Sequence, residues 1–208
     1  MASSLSADEA LERLREGNER FRAGKSRLRS MRPEELAKLA KGQEPFATII
    51  GCSDSRVPPE LIFDAVVGEL FVIRIAGNVL SSEIAGSLQY AGAHLRTPLF
   101  IVLGHSGCGA VHAALDYRFR GKTEPSHIQV LVDSIQPALV SIDEAMSPRQ
   151  QLAAAVKENV RWTMRQIMES VTRERVASGD FRLEGAVYDM STGKVRLLPK
   201  QEPGGRAT

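Results

Sequence analysis

The chain has 208 residues, 43% apolar and 25% charged, with a formal net charge of +2. That length suits one domain burying roughly 70% of its unfolded surface. The near balance of charge gives no bulk electrostatic reason to expect a nucleic-acid partner.

Asp8, Glu9, Glu12, Arg13 and Arg15 interrupt any apolar core of a secretory signal at the N-terminus. Residues 6–23 predict an amphipathic helix instead. Ser6 and Glu9 have capping-box spacing, and Leu11, Leu14, Asn18 and Phe21 recur at helical intervals. The basic stretch Arg22–Arg29 has few aromatic neighbours and reads as a solvated loop. Pro33 and Gly42 bracket a second helix, completing a helical arm over residues 1–42. Pro45–Gly51, Leu70–Ile75 and Leu99–Gly104 are apolar runs that predict buried strands. Ser82–Leu95 between them predicts a helix with small residues Ala85, Gly86 and Ala91. A helix from Cys108 to about Phe119 follows, then a polar loop through Gly121 and Pro125. Ser147-Pro148 opens a long helix expected to reach Ser178. Leu183–Met190 and Lys194–Leu198 flank Ser191-Thr192-Gly193 as a terminal hairpin, and the Pro- and Gly-containing tail from Gln201 is expected to fray. No apolar run approaches the roughly 18 residues of a membrane span.

Apolar strands alternating with helices predict an α/β fold with a mostly parallel central sheet flanked by helices. The helical arm lies at its N-terminus and a strand pair at its C-terminus. One domain, residues 1–208, contains all of this. In such sheets ligands bind beyond the carboxyl ends of the strands. Two runs lie there: Gly51-Cys52-Ser53-Asp54-Ser55-Arg56 and Gly104-His105-Ser106-Gly107-Cys108-Gly109. They hold both cysteines and one of four histidines. The expected compartment is the cytoplasm, where two cysteines are better read as ligands or free thiols than as a disulfide. Thiolate, imidazole and carboxylate are the side chains that ligate zinc. Taken singly, either cysteine would pass for a small buried hydrophobe and His105 for a core histidine. The combination points to a metal centre with one open coordination position, inside a core of residues 43–120.

Cys-x-Asp-x-Arg at 52–56 with His-x-x-Cys at 105–108 resembles the β-class carbonic anhydrases. Gln43-x-Pro-Phe, Ser53-Asp-Ser-Arg-Val-Pro-Pro, Gly68-Glu-Leu-Phe-Val-Ile-Arg, Ala76-Gly-Asn78 and Gly104-His-Ser-Gly-Cys-Gly-Ala110 extend the likeness over about residues 43–111. Gly17-Asn-Glu-Arg-Phe21 and Tyr188-Asp-x-x-Thr-Gly-Lys194 add a weaker one.

The resemblance implies one Zn2+ per chain on Cys52, His105 and Cys108. The implied reaction is reversible hydration of CO2 to bicarbonate and a proton by zinc-bound hydroxide. It makes Asp54 and Arg56 the catalytic pair: Asp54 is the fourth ligand in a closed state and pairs with Arg56 in an open one. Gln43, Phe71 and Tyr90 match residues that line the CO2 pocket, several of them donated by a neighbouring subunit. A homodimer with shared active sites, or a tetramer, is therefore expected, with no nucleic-acid or membrane partner. Some members hold an inhibitory bicarbonate between a tryptophan, an arginine and a tyrosine. Arg74 and Tyr90 match the last two, but Ile49 replaces the tryptophan, which speaks against that site and for the open state. His94, His112 and His127 are candidate proton shuttles. Two other readings stay open: a zinc hydrolase acting on carbonyl sulfide or carbon disulfide, and a non-catalytic protein in which zinc is structural.

Overall fold

The computed structural model describes residues 5–27, 31–170 and 181–199. Helix α1 (Ala7–Arg22) begins with the expected capping box. The Glu9 amide donates to Ser6 Oγ and the Ser6 amide to the Glu9 carboxylate. Helix α2 (Pro33–Leu39) is shorter than predicted and ends in a turn before Gly42. Strand β1 (Ala47–Gly51), a short α3 (Pro59–Ile62), β2 (Leu70–Arg74), α4 (Ser82–Tyr90), β3 (Leu99–His105) and α5 (Gly109–Arg120) follow. Then come α6 (Ser126–Ile135), α7 (Pro148–Ser170), β4 (Arg182–Asp189) and β5 (Lys194–Leu197).

The sheet has the order β2-β1-β3-β4-β5. Its first four strands are parallel, and β5 returns antiparallel to β4 as the predicted hairpin. Strands β1 and β3 are buried on both faces, which is why they read as unbroken apolar runs. On one face Ile49, Ile101, Leu103 and Ala186 pack against Leu11 and Leu14 of α1. On the other, Ile50, Phe100 and Val102 pack against Leu88 of α4 and Val160 and Ile167 of α7.

The predicted helix over Ser82–Leu95 keeps α-helical form only to Tyr90. Ala91–Leu95 continue as a π-turn, and Arg96 leaves it with φ 51°. The next residue, Thr97, precedes Pro98, which disfavours helical geometry there. Helices α3 and α6 lie in stretches with no predicted element. Helix α7 is described to Ser170; the rest of the predicted helix and the tail from Gln201 lie outside the described residues. Helix α7 crosses β3 closely. A Cβ on Gly104 would fall 2.6 Å from Val160 and 3.3 Å from Val156, so only glycine fits just before His105.

The arm is fastened by charge. Asp64, its side chain almost fully buried, accepts from Arg20 Nε at 2.6 Å and from the Arg27 amide at 2.6 Å and Nε at 3.2 Å. Burial pushes its pKa up, but the two arginines outweigh this and the net direction is down. A depressed carboxyl pKa stabilises the fold above the ordinary carboxylate range, and this is lost as pH falls through the folded value. Asp64→Asn is expected to cost about 2 kcal/mol at neutral pH, less than the roughly 3–5 of a fully buried pair because both arginines reach water. Urea melts from about pH 7 down to about pH 3 should show the variant's deficit shrinking with acid; a deficit independent of pH would contradict the ionic role.

Candidate metal centre

The chain leaves β1, crosses to β2 on one side and returns to β3 on the other, so the order of strands reverses between β1 and β3. A crevice opens there beyond the strand ends. Parallel register sets Gly51 beside Leu103. Cys52, the residue after β1, therefore comes next to the end of β3, where His105 is the last strand residue. Three residues on, Cys108 is the N-cap of α5. Their Sγ and ring nitrogen atoms all lie within 4.8 Å of one another, and all three side chains are buried. Neither cysteine forms a disulfide.

The histidine has a defined orientation. Its Nδ1 lies 3.0 Å from the Ser106 carbonyl oxygen, which can only accept, so Nδ1 carries the proton. Nε2 then presents a lone pair, fully buried and without a hydrogen-bond partner among the described residues. Around it the two sulfurs compete for protons. A hydrogen bond from the Cys108 thiol draws the Cys52 pKa strongly down, and the same contact pushes Cys108 up. Burial opposes a charge on His105, but the Cys52 thiolate beside it outweighs burial and the net direction is up. A buried lone pair beside two sulfurs suits a divalent cation that displaces protons. Two thiolates and one imidazole, with no fourth protein donor in the group among the described residues, match the set of a catalytic rather than a closed structural zinc site.

Asp54 stands beside the trio, its carboxylate held by Arg56. Arg56 Nε donates to Oδ1 at 2.9 Å and Nη2 to Oδ2 at 2.7 Å, with the Arg56 amide adding a third bond at 3.0 Å. This fork is the bidentate geometry of strong Arg–carboxylate pairs. The Arg56 hydrogen bonds hold the Asp54 carboxyl well below the usual range. Its Oδ2 stays 4.0 Å from His105 Nε2. Arg74 braces the loop beneath: Nε donates to the Cys52 carbonyl at 3.0 Å and Nη2 to that of Asp54 at 2.6 Å. The Gly77 amide donates to Cys52 Sγ at 3.4 Å.

Cys52, Asp54, Arg56, His105 and Cys108 thus converge; the proposed pocket residues do not join them. Gln43 is exposed in the loop before β1, at the opposite end of the strand from Cys52. Phe71 lies in edge strand β2, paired with Thr48, and stacks on Tyr90 at 6.2 Å between centroids. Tyr90 packs in turn on His94 at 4.9 Å. Ile49 is fully buried, and Arg74 is committed to two carbonyls. His112 is half exposed, its Nδ1 4.0 Å from Asp116, and His127 is exposed on α6. The bracing by Arg74 and Gly77 was not foreseen as such, although both lie in motifs noted above.

Residues 47–195 match the sequence model of the family described as carbonic anhydrase. Carbonic anhydrase 2 of Mycobacterium tuberculosis is 39% identical over 186 residues, covering 88% of this chain and 89% of that protein. The β-carbonic anhydrase CafA of Aspergillus fumigatus superposes with a TM-score of 0.74 at 28% identity, over 82% of this chain and 83% of that one. One of two tetrameric β-carbonic anhydrases of Sordaria macrospora superposes with a TM-score of 0.72 at 26% identity, over 80% and 86%.

The brace has a direct test. A lysine ammonium cannot bridge two carbonyls in a planar fork. Arg74→Lys is expected to lower stability by about 1.5–3 kcal/mol, the worth of one charge-assisted hydrogen bond; an unchanged urea midpoint would remove Arg74 from the support of this loop.

Proposed function

This chain belongs to the β-carbonic anhydrase family of enzymes, and on that basis we propose that it catalyses the reversible hydration of CO2 to bicarbonate and a proton on one Zn2+ per chain. Cys52, His105 and Cys108 hold the metal. The observation that carries this reading is the buried Nε2 of His105, unpartnered among the described residues and facing two cysteines, with the carboxylate of Asp54 beside it tied to Arg56. When bound, the metal supplies the acidity that brings the pKa of a water molecule toward neutrality, less far than in a three-histidine site because two thiolates offset its charge.

The chain's own residues do the rest. Arg56 keeps Asp54 from closing the fourth position, and the ionised Asp54 is left at its rim to accept a hydrogen bond. If Asp54 swung inward it would complete a closed, inactive set of four. The fork also argues against zinc as a purely structural element, because a structural site takes a fourth protein ligand.

Gln43, Phe71 and Tyr90 are assigned to the CO2 pocket of a second copy. Gln43 cannot reach its own Cys52, since the five strand residues between them alone extend about 16 Å. Phe71 lies in edge strand β2 and stacks on the half-exposed Tyr90, and the outer side of β2 pairs with no strand among the described residues. The working unit is thus a homodimer with shared active sites. The tetrameric state of the Sordaria macrospora enzymes is a natural extension of it. The chain acts as one domain whose core, residues 43–120, holds every assigned residue. Two unpaired thiols suit a reducing compartment, and we place the enzyme in the cytoplasm. No described helix is long and apolar enough to cross a membrane.

Stopped-flow CO2 hydration before and after chelation tests the reading. Activity should vanish with the metal and return with Zn2+, and Cys52→Ser should abolish it; a chelated protein that keeps its rate would refute the assignment. The rate should climb on the alkaline side, and a flat profile from about pH 6 to about pH 9 would contradict the thiolate argument. Arg56→Ala frees Asp54 and is expected to lower the neutral-pH rate by about 10–100-fold; wild-type rates in that variant would dismiss the fork as a surface ion pair.

A further inference from the structure

Helix α7 lies behind the centre and contributes no ligand. Two of its side chains, one helical turn apart, nevertheless reach the turn that touches Cys52. Asn159 Nδ2 donates to the Gly77 carbonyl at 2.7 Å, and Thr163 Oγ1 donates to the Asn78 carbonyl at 3.0 Å. Asn78, Asn159 and Thr163 are each at most 2% exposed. Gly77 itself donates to Cys52 Sγ.

The turn between them is unusual. Gly77 and Asn78 both have left-handed backbones, φ 72° and 44°. Such a geometry in a non-glycine residue costs of order 1–3 kcal/mol and persists only where its surroundings impose it. A Cβ on Gly77 would stand 2.9 Å from Ile135 Cδ1 and 3.1 Å from Ala110 Cβ. Ala110 is two residues past Cys108, so the turn is wedged between the two halves of the centre. Two consecutive carbonyls, turned aside by these dihedrals, each meet one donor from α7. The arrangement also leaves Asn78 Nδ2 and Asn159 Oδ1 buried without partners among the described residues. Unpaired buried atoms of this kind are uncommon and tend to persist where function demands the geometry.

We propose that Asn159 and Thr163 are positioning residues for Cys52. Clamping the 76–78 turn, they keep the Gly77 N–H aimed at the sulfur, which fixes the side-chain direction of Cys52 and tempers the charge on its thiolate. This rests on Cys52 being a metal ligand, as proposed above. Outer hydrogen bonds of this sort typically change metal affinity by about 10–100-fold. The turn is also where helix packing meets the metal, because Val156 and Val160 of the same helix abut Gly104 beside His105. One helix thus locates both strands' ligands.

The test is the Zn2+ affinity of the full-length metal-free protein, measured by chelator competition, together with the absorption of the Co2+-loaded form. Thr163→Val keeps the shape and removes the donor; Thr163→Ser restores it. Asn159→Ala removes the other donor. Trp162→Phe is the control: it deletes a hydrogen bond from the same helix to Ser134 and touches nothing in the turn. Thr163→Val and Asn159→Ala should bind Zn2+ about 10–100-fold more weakly and shift the thiolate-to-cobalt band. Thr163→Ser and Trp162→Phe should stay within about threefold of the parent, whatever their melting temperatures. If Thr163→Val matches the parent in affinity and spectrum, or if Trp162→Phe loses affinity as much, the clamp is only structural and the proposal fails. Thr163→Val decides the matter alone should Asn159→Ala not fold. Failure of the parent protein to bind Zn2+ would instead overturn the underlying metal assignment, and the clamp with it.

Discussion

The register of β1 against β3 is the constraint on which the site depends. Gly51 stands beside Leu103, so one cysteine emerges next to a histidine that is 53 positions away in sequence. A slip of one residue would turn the whole apolar set of a strand to the wrong face. Because both faces of these strands are packed, by α1 on one side and α4 and α7 on the other, the register is strongly imposed. The geometry of the donors is therefore inherited from the core. The loops that carry Cys52 and Cys108 begin in the right place, and Arg74 and Gly77 then hold the first of them.

Charge then decides what the donors face. Three groups supply the environment: a carboxylate held by Arg56, a pair of carbonyls held by Arg74 and an amide from Gly77. Apart from the Cys52 carbonyl, none belongs to the trio itself. Arg74 shows how one side chain serves a site without entering it. Its fork spans the carbonyls of residues 52 and 54, so the stretch bearing both the ligand and the carboxylate is held as one piece.

Much of this was legible in the sequence, for identifiable reasons. Strands β1 and β3 are buried on both faces, and their unbroken apolar runs have few other readings. Cysteines and histidine at strand ends carry chemistry that loops seldom display by accident. The capping box of α1 is a local signal and was met as expected. Helix α6 was missed because Ile128, Val130 and Val132 alternate as in a strand. Their β-branching adds to that impression, and only the burial of Val132 and Ile135 beside α5 settles the helix. The π-turn after Tyr90 was invisible, since a change of hydrogen-bond register leaves no mark on apolar spacing. The work of Arg74 and Gly77 depends on backbone carbonyls and amides, which every residue possesses and no motif spells out. Gln43, Phe71 and Tyr90 could be matched by likeness alone; within one chain the strand direction carries them away from the cysteines.

The fork between Asp54 and Arg56 joins a partly buried carboxylate to a guanidinium whose side chain is 62% exposed. The donors of the centre are buried, whereas the Arg56 end of the fork reaches solvent. Dissolved salt screens an exposed charge within about 8–10 Å at physiological strength and hardly affects buried ones. Dissolved ions can therefore reach the fork at its Arg56 end, while the buried donors meet them only through it.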